Sequence, residues 1–417
     1  MTTLASGQTE PISSGEVQII NPDRVLDIAH KHRLVSEFLE LHHYDALLLQ
    51  QPPNFAWFTS GGDCSRAGSS ETTASLFITP EARLVVTTNV DSAQIFDHEL
   101  PGLGFQLKER TWHESRDKLI DDLCRGRIVA SDGSLAGTQD VSVPLARLQT
   151  PLTALECQRA CELGRLVAHA VEAVCRNCRQ GQSEAEIAGE VAHRLIKRRV
   201  VPERIQVFAD AQAQRYRHWA YGNDRVERCV TVSAVGRRWG LCLGAARTAS
   251  FGPPPQEIRD FYHRAVLVQA TGIYFSQSEW ELFEIWNRVR RIYEKHGLPN
   301  EWRQSEQGQV IGYRVCELPI VPNSQYRLTP GTAVYWHPSV GPAVLGDSIL
   351  VGENRPKLLT PMESWPKLKI VVKGVPLFLP QILRRTDCPD SGGEDSNVSL
   401  EPDDDDSQLG PSGMVHQ

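Results

Sequence analysis

The sequence lacks any apolar run that could cross a membrane. Its strongly apolar patches, such as Ala46 to Leu49, have the length of a strand, whereas a spanning helix needs about 18 or more apolar residues. The opening residues, MTTLASGQTEPISSGE, contain neither a basic stretch nor an apolar core, so we expect no secretory signal. Cysteine is also sparse, with 10 in 417 residues, which is too few for a disulfide framework. We therefore expect reduced thiols and a cytoplasmic protein.

An excess of positive charge is missing as well. The formal net charge is -7, and nine acidic side chains lie in residues 386–417, which contain no Lys or Arg. Without these nine, the rest of the chain carries a net charge of +2. A nearly neutral body is not expected to bind nucleic acid by neutralising phosphates. The acidic segment is rich in Gly, Ser, Pro and Asp, and we expect it to be a solvated, disordered tail.

The remaining composition is typical of a globular protein. Hydrophobic residues make up 41% and charged residues 23%, and the mean hydropathy is -0.32, so fibrous, collagen-like and wholly disordered chains are excluded. At roughly 100 to 200 residues per domain, a chain of 417 residues predicts two or three domains. The sequence patterns divide it into a disordered segment at 1–21, two domains at 22–150 and 151–385, and the acidic tail at 386–417.

Residues 22–150 alternate between helical and strand patterns. Apolar residues recur at helical spacing between Arg24 and Leu41, and a strand is predicted at Tyr44 to Gln50, before the breaker QPPN. Two further strands, Ser75 to Thr79 and Leu84 to Thr88, flank a turn sequence and predict a hairpin. We expect a small α/β domain with a mixed sheet.

Residues 151–385 begin with a long helical stretch at 152–177. Ser183, with Glu186 three residues later, forms a capping box and predicts the start of a second helix. Ser278 and Glu281 form the same pattern before a later helix. The other predicted elements are helices at 256–275 and 282–296 and strands at 204–209, 229–235, 241–251, 310–315, 332–337 and 348–351.

Two cysteine pairs raise the question of metal or redox chemistry. Cys175 and Cys178 form a C-x-x-C, and Cys157 lies one helical turn before Cys161, all within one predicted helix. Zinc thiolates must converge from turns, and a redox pair needs a helix N-terminus to lower its thiol pKa. Neither context is predicted here, so we interpret all four as ordinary core or surface cysteines.

The strands around residues 230–252 carry a more specific pattern. Their sequence, VTVSAVGRRWGLCLGAARTASFG, resembles the V-x-V-D-x-G and D-x-T-R-T strands of the pita-bread family that includes creatinase, prolidase, aminopeptidase P and methionine aminopeptidase. Ser233 and Gly244 occupy the positions at which the metallopeptidase members carry two metal-binding Asp residues. The retained positions of the frame are Val230, Val232, Gly240, Arg247, Thr248 and Gly252.

Two later segments support the resemblance. QVIGYRVCELP is similar to H-G-I-G-L-x-x-H-E-x-P, with Gln309 in place of a metal-binding His and Cys316 in place of a substrate-contacting His. Residues 328–360 resemble the two closing strands of the family, where His337 and Gly346 replace two Glu ligands.

The resemblance covers about residues 22–380 and implies an α+β protein. A creatinase-like N-terminal α/β domain would be followed by a pita-bread domain, in which helices cover a curved antiparallel sheet. Two adjacent divalent cations need several carboxylates, and the five replaced positions supply none, so we expect no metal and no other cofactor. These positions are Ser233, Gly244, Gln309, His337 and Gly346.

Creatinase implies, by resemblance, that this fold can cleave a C–N bond without a metal. His218, which precedes the hairpin, is the corresponding candidate for proton transfer, because an imidazole titrates near neutrality. Glu317 would orient a cationic group or tune His218. His337 would be a second proton carrier with Asp347 as its carboxylate partner. Each of these residues also has an ordinary structural interpretation. The predicted substrate-binding residues are Arg247, Gln309 and Asp347.

Three classes of function stay open. The first is a hydrolase that acts on a small peptide or amide without the dinuclear metal centre. The second is a non-catalytic, peptidase-like module that binds such a ligand, and the third is a metal-dependent Xaa-Pro aminopeptidase. The fold does not choose between them. We expect a small peptide or amide as the partner, neither nucleic acid nor a membrane, and, from the resemblance, a homodimer.

Overall fold

The computed structural model describes residues 21–66, 71–210 and 212–385, and the chain divides into two compact units. The first unit ends at Val141 and the second begins at Ser142. Each unit is built on its own sheet. The predicted disordered segments at 1–21 and 386–417 lie outside the described residues, except for Asn21.

The first unit contains a mixed sheet. Its helices are α1 (Pro22–His42), α2 (Pro52–Phe58) and α3 (Arg116–Cys124), and its strands are β1 (Ala46–Leu49), β2 (Ala74–Ile78), β3 (Arg83–Thr88), β4 (Gln106–Arg110), β5 (Val129–Ser131) and β6 (Gln139–Asp140). The strand order is β4-β3-β2-β1-β5-β6. The pairs β1–β2 and β2–β3 are antiparallel, whereas β1–β5, β3–β4 and β5–β6 are parallel. The predicted hairpin and mixed sheet are thus confirmed.

The local sequence explains where the first two helices begin. The side chain of Asn21 accepts hydrogen bonds from the backbone N–H groups of Asp23 and Arg24 at the start of α1. α2 begins at Pro52, within the QPPN segment that we predicted to interrupt regular structure. A proline in the first helical turn costs no hydrogen bond, because the first N–H groups of a helix have no partner within it.

The second unit contains the larger sheet. Its helices are α4 (Ser142–Gln149), α5 (Ala154–Asn177), α6 (Glu184–Lys197), α7 (Gln256–Phe275) and α8 (Leu282–Lys295). Its strands are β7 (Val201–Ala209), β8 (Cys229–Arg238), β9 (Leu241–Phe251), β10 (Gly308–Val310), β11 (Leu318–Pro319), β12 (Ala333–Trp336), β13 (Ser339–Val340), β14 (Ala343–Val344), β15 (Gly346–Leu350), β16 (Lys357–Leu358), β17 (Lys367–Val372), β18 (Val375–Pro380) and β19 (Leu383–Arg385).

Seven strands of the nine-stranded sheet run in the order β11-β10-β12-β15-β9-β8-β7, with β16 beside β15 and β19 beside β9. The neighbouring strands are antiparallel except for β19 and β9. The curved antiparallel sheet with helices, predicted from the resemblance, is therefore confirmed. No helix in the described ranges combines the length and the apolar character that a membrane span requires.

Capping explains the start of α6 and corrects the prediction for α8. Ser183 and Glu186 form the predicted capping box, each side chain accepting from the backbone of the other residue. The predicted box of Ser278 and Glu281 is wrong, because Glu281 is itself the N-cap of α8 and exchanges these hydrogen bonds with Glu284. The chain is still outside the helix at Glu279, where φ is 71°.

The register of the strands gives the larger sheet two distinct faces. Residues that lie directly opposite each other on antiparallel strands point to the same side, and so do residues two apart on one strand. We call one side the inner face. The pairs that define it are Arg204 with Val235, Ser233 with Ala246, Val235 with Gly244, Ala246 with Gly346, Tyr335 with Ser348, and Tyr335 with Gln309.

The opposite face packs against α5 and α7. Arg247 and Asp347 lie on this face, and they contact Glu172 of α5 and Gln269 of α7. Trp336 lies against α7 so closely that a Cβ at Gly272 would be 2.6 Å from its ring. The helices therefore cover one face, and the candidate site has to be sought on the inner face.

The described cysteines are consistent with a structural interpretation. Nine are free. Cys175 lies in α5 and Cys178 caps its C-terminus, and both are buried. Cys157 and Cys161 also lie in α5 and are half-buried.

Candidate functional site

The five positions at which the family resemblance places metal ligands surround one side chain, that of Tyr335. Gln309 is paired with Tyr335 across the sheet, and the ring of His337 stacks on the Tyr335 ring with centroids 4.7 Å apart. Gly244 and Gly346 lie against the Tyr335 ring and hydroxyl, respectively. Ser233 is close enough to influence the pKa of the Tyr335 hydroxyl. The structure thus brings these positions together.

Tyr335 fills the space that longer side chains would need. A Cβ built on Gly244 would lie 2.6 Å from Cζ of Tyr335, and one built on Gly346 would lie 2.6 Å from its hydroxyl oxygen. Real Cβ atoms essentially never make contacts this short, so an Asp or Glu at either position would require Tyr335 to move. Tyr335 is 0% exposed and has packed neighbours on all sides.

The residues that remain offer few ligands for a cation. Ser233 supplies a neutral hydroxyl, and the Gln309 side chain donates to the carbonyl oxygen of Val315 at 2.5 Å. His337 supplies one imidazole. Among residues 21–66, 71–210 and 212–385, no group of three or more His, Cys, Asp or Glu side chains is arranged to hold a metal ion. The donor set does not suit two divalent cations, which need carboxylates to neutralise and bridge them.

His337 is held in an environment that disfavours its charged form. Its Nε2 is shielded from solvent and has no hydrogen-bond partner among the described residues. Burial, together with the nearby Arg204 guanidinium and His218, lowers the pKa of His337 to about 3. At neutral pH the imidazole is therefore uncharged and a very weak base.

The predicted partnership of His337 with Asp347 is wrong. Asp347 accepts hydrogen bonds from Arg247 at 2.9 Å, from Thr360 at 2.8 Å and from Gln269 at 3.2 Å. All of these contacts lie on the face that α5 and α7 cover. Consecutive residues of a strand point to opposite sides, so Gly346 faces Tyr335 and Asp347 does not.

Arg247 lies on the same covered face, at the centre of a buried ion-pair network. Its Nη1 is 2.9 Å from Asp347 and its Nε is 3.1 Å from Glu172, and the side chain of Arg247 is 0% exposed. Arg247 also donates to the carbonyl oxygens of Ala246 and Thr360. This location does not support the substrate contacts predicted for Arg247 and Asp347, because both side chains are enclosed and fully engaged.

Glu317 and Gln309 stabilise the loop between β10 and β11. Glu317 accepts from the backbone N–H of Arg314 at 2.8 Å, and its other oxygen lies 3.4 Å from the Arg314 guanidinium. Burial raises the pKa of Glu317, and Arg314 opposes that shift. The catalytic role of Glu317 and the substrate contact of Gln309 stay predictions, since the contacts in the structure are structural.

His218 lies at the rim of the inner face, on the segment that follows β7. Its ring is exposed, and Nε2 is 3.3 Å from a carboxylate oxygen of Glu306. The segment is anchored by Glu184, which is 0% exposed and accepts from the Ala209 and Gly222 N–H groups and from the Trp219 indole. His218 thus remains accessible while its backbone is fixed.

Two residues of this site were not identified from the sequence. Tyr335 occupies the centre, and Arg204 brings a guanidinium to the inner face from β7. Arg204 begins the strand predicted at 204–209, but the alternation of side chains along a strand does not tell which of its faces the helices cover. For Tyr335, the only signal was a bulky residue two positions before His337.

Part of the second unit matches a known protein family. Residues 158–353 match the model of the metallopeptidase family M24. No curated protein sequence matches the chain. The fold matches solved structures whose sequences have low identity to this chain.

Three of these structures cover most of this chain. A Xaa-Pro dipeptidase from Bacillus anthracis has a TM-score of 0.70 and 16% identity, covering 86% of this chain and 100% of its own. The prolidase from Pyrococcus horikoshii OT3 has a TM-score of 0.68 and 18% identity, and the match covers 80% of this chain and 99% of the prolidase. The N-terminal domain of the FACT complex subunit SPT16 from chickpea, Cicer arietinum, has a TM-score of 0.63 and 12% identity. That match covers 82% of this chain and 96% of the chickpea domain.

Proposed function

The chain is a member of the creatinase and Xaa-Pro aminopeptidase family with the pita-bread fold, and from that premise we propose that it binds a small peptide or amide without turning it over. In this proposal the pita-bread domain is a pseudo-peptidase: the fold of a metallopeptidase is retained, and the dinuclear metal centre is replaced by side chains of the protein.

The packing of Tyr335 carries this proposal. Its ring and hydroxyl lie within 2.6 Å of where Cβ atoms would start at Gly244 and Gly346. Two of the positions that would provide carboxylates are therefore glycines that accommodate an aromatic side chain. This arrangement explains why both are glycine, and it leaves no room for the ligands of a metal at that point.

The candidate proton carriers also favour binding over catalysis. A general acid or base works best when its pKa lies near the working pH. Because burial holds the pKa of His337 at about 3, this imidazole neither accepts nor delivers a proton efficiently near neutrality. Glu317 is engaged with Arg314. The chickpea structure supports this reading, since it shares the fold and is named for a complex rather than for hydrolysis.

Elemental analysis tests the proposal directly. The purified full-length chain is incubated with Mn, Co and Zn, desalted, and measured for metal per chain, and the same samples are assayed for cleavage of Xaa-Pro dipeptides. We expect no stoichiometric metal and no cleavage. Near two metal equivalents per chain, together with dipeptide cleavage, would show that the protein is an ordinary metal-dependent Xaa-Pro aminopeptidase.

A metal-free hydrolase is the second candidate, and the pair of His218 and Glu306 favours it. The two side chains lie 3.3 Å apart, and the imidazole is accessible. A carboxylate beside a histidine can orient the ring for proton transfer. If the protein hydrolyses a peptide or an amide without metal, replacing His218 by Ala should abolish turnover while the protein stays folded. Turnover that persists in His218→Ala would exclude this assignment.

Two further properties are proposed, the oligomeric state from the family resemblance and the location from the sequence. We propose that the protein forms a homodimer and acts in the cytoplasm. Size-exclusion chromatography with light scattering should give the mass of two chains, whereas a single peak at 46.6 kDa would contradict the dimer. Cell fractionation with the tagged full-length chain tests the location.

A further inference from the structure

The described residues leave one face of α6 uncovered. The other face is buried through Ile187, Val191 and Leu195, and the helix packs against α5 and β7. The uncovered face borders an open groove of about 580 Å³ that runs along the helix from Gln182 to Lys197. Midway along this groove, a Cβ added to Gly189 would meet no atom within 4 Å. The face is therefore open to a partner.

The charges of this face are separated along the helix. Glu186 and Glu190 lie toward its beginning. Four cations lie in the last turn and just after it, and we call them the basic end of α6: Arg194, Lys197, Arg198 and Arg199. None of the four forms an ion pair with any residue that the structure describes. The helix dipole supplies only about half a negative charge at a C-terminus, so the basic end is left with an excess of positive charge.

Two apolar side chains border these cations. Ile196 lies in the last turn of α6 and is 61% exposed, and Val201, the first residue of β7, is 45% exposed. Single exposed aliphatic residues are ordinary on a protein surface. Their position next to four cations, however, matches a partner that combines acidic residues with a few aliphatic ones.

The acidic tail of this chain has that composition. Val398 and Leu400 come directly before Glu401 and the aspartate run at 403–406. The tail follows Arg385, whose Nη1 donates to the carbonyl oxygen of Cys178, the C-cap of α5. The N-cap of α6, Ser183, follows Cys178 by five residues. The tail therefore starts close to the turn that leads into α6.

The aspartate run is far enough along the chain to reach the basic end. α6 has 14 residues, which makes it about 21 Å long at 1.5 Å per residue. Asp403 lies 18 residues after Arg385. A segment of that length spans up to about 60 Å. Because the tail is covalently attached, charge pairs that are individually weak suffice to hold it.

We propose that the basic end of α6 is the docking site for residues 398–406 of the same chain. In this contact the aspartate run lies against the four cations, and Val398 and Leu400 lie against the exposed aliphatic side chains. Glu186 and Glu190 repel an acidic segment, so the contact is confined to the last turn of the helix. The inference does not depend on the proposed function, because it involves neither the inner face nor a metal.

Carbodiimide coupling of the full-length chain tests the contact. This reagent joins a carboxylate directly to an amine that touches it, and Lys197 provides the amine of the basic end. After digestion with trypsin, the coupled peptides are quantified by mass spectrometry. We expect the tail to couple to Lys197 at least fivefold more than to Lys295, an equally accessible amine in the last turn of α8. Raising the salt to about 0.5 M should reduce this coupling severalfold, since salt screens exposed charges.

A surface variant assigns the coupling to the basic end. Arg198→Gln combined with Arg199→Gln keeps Lys197 and every carboxylate, and it should reduce coupling at Lys197 at least threefold. The matched control is Arg165→Gln combined with Arg355→Gln, which removes the same charge from exposed positions elsewhere on the second unit. Coupling at Lys197 should stay within twofold of the wild type in that control.

Acetylation of Lys197 tests the tail's side of the contact. A docked tail shields this amine, so neutralising the aspartate run should raise the ratio of acetylation at Lys197 to that at Lys295 about threefold. The variant combines Asp403→Asn, Asp404→Asn, Asp405→Asn and Asp406→Asn. Its control removes four other acidic groups of the tail through Asp387→Asn, Asp390→Asn, Glu394→Gln and Asp395→Asn. This control should leave the ratio as in the wild type.

Denaturing electrophoresis identifies whose tail is bound. Coupling within one chain leaves the product at 46.6 kDa, as we expect. A Lys197 product found only at twice that mass would show that the tail of a second copy is bound, and it would overturn the proposal. The proposal is also wrong if the tail does not couple to Lys197, if it couples equally to Lys295, or if both arginine-pair variants lose coupling to the same extent.

Discussion

Gly244 and Tyr335 pack so closely that the Tyr335 ring can keep its position only because residue 244 has no side chain. A Cβ at Gly244 would lie 2.6 Å from Cζ of Tyr335 and 2.8 to 2.9 Å from two further ring carbons. The two residues lie on β9 and β12, with β15 between them. A carboxylate side chain at position 244 and the present position of the Tyr335 ring therefore exclude each other.

The close fit predicts a strong coupling between these residues. Gly244→Ala should destabilise the protein by about 1–3 kcal/mol, the usual cost of forcing a methyl group into a packed core. In a Tyr335→Thr background the added methyl has space, so the same change should cost much less, giving a coupling energy of about 0.5–3 kcal/mol. Urea unfolding of the two single variants and the double variant measures this cycle.

A control for the glycine substitution is available in α6. A Cβ at Gly189 would have no atom within 4 Å, so Gly189→Ala should stabilise the protein, by about 0.5–1 kcal/mol through helix propensity. If the changes in unfolding free energy of Gly244→Ala and Tyr335→Thr are strictly additive, the ring moves aside at no cost. Packing against Tyr335 would then not explain why position 244 carries no carboxylate.

The buried network of Arg247 should contribute to stability and not to ligand binding. Arg247→Met leaves Asp347 and Glu172 without their shared cation in an enclosed place, and breaking such a network costs about 3–5 kcal/mol. Arg165→Met is the control, because Arg165 lies 3.8 Å from Glu363 on the surface and such pairs contribute about 0–1 kcal/mol. Chemical denaturation of both variants gives the comparison. A loss below about 1 kcal/mol for Arg247→Met would show that the pair is dispensable.

Several helices and the hairpin were predictable because they depend on short local patterns, and the fold was predictable through the family resemblance that such patterns carry. The capping box of Ser183 and the hairpin of β8 and β9 follow from turn and capping chemistry. The retained frame around Arg247 and Gly252 then indicated the family. These features are determined by residues close together in the sequence, which is why no structure was needed to find them.

The contents of the site were not predictable in the same way. The resemblance identifies which ligands are missing, but not which side chain takes their space, because the contact of Tyr335 with Gly244 joins residues that are distant in sequence. The predicted pairing of His337 with Asp347 was wrong for a simpler reason. His337 and Tyr335 share the inner face, whereas Asp347 is directly opposite Trp336 on the covered face. Applying the strand period of two to both strands would have separated them.

Glu184 should control the order of the segment that carries His218. Its two carboxylate oxygens accept from the Ala209 N–H at 2.8 Å, the Trp219 indole at 2.7 Å and the Gly222 N–H at 2.7 Å. Glu184→Gln replaces one acceptor by an NH₂ group that faces other donors, so at least one hydrogen bond is lost and a buried donor is left unsatisfied, at a cost of about 1–3 kcal/mol. Hydrogen exchange should become faster at residues 218–222.

Glu186→Gln provides the comparison for this change. Glu186 lies on the same helix and caps it from the surface, and glutamine can still serve as the third residue of a capping box. We expect little change in hydrogen exchange at residues 218–222 in that variant. Equal protection in Glu184→Gln and the wild type would mean that other contacts, such as that of Arg217 with Glu301, fix the segment.

The low pKa of His337 predicts a specific dependence of stability on pH. In the folded protein this pKa is about 3, below the ordinary value of 6.5 that the unfolded chain restores. Between these values the unfolded state binds a proton that the folded state does not, so the contribution of His337 to stability is present above pH 6.5 and is lost as the pH falls. The slope is about 1.4 kcal/mol per pH unit for one proton.

His337→Gln should therefore narrow the difference in unfolding free energy between pH 7.5 and pH 5 by about 1–2 kcal/mol. His98→Gln, at an imidazole that is 81% exposed, gives the baseline for removing one histidine. If His337→Gln and His98→Gln show the same pH dependence in urea unfolding, His337 is protonated in the folded protein and is available as a proton carrier after all.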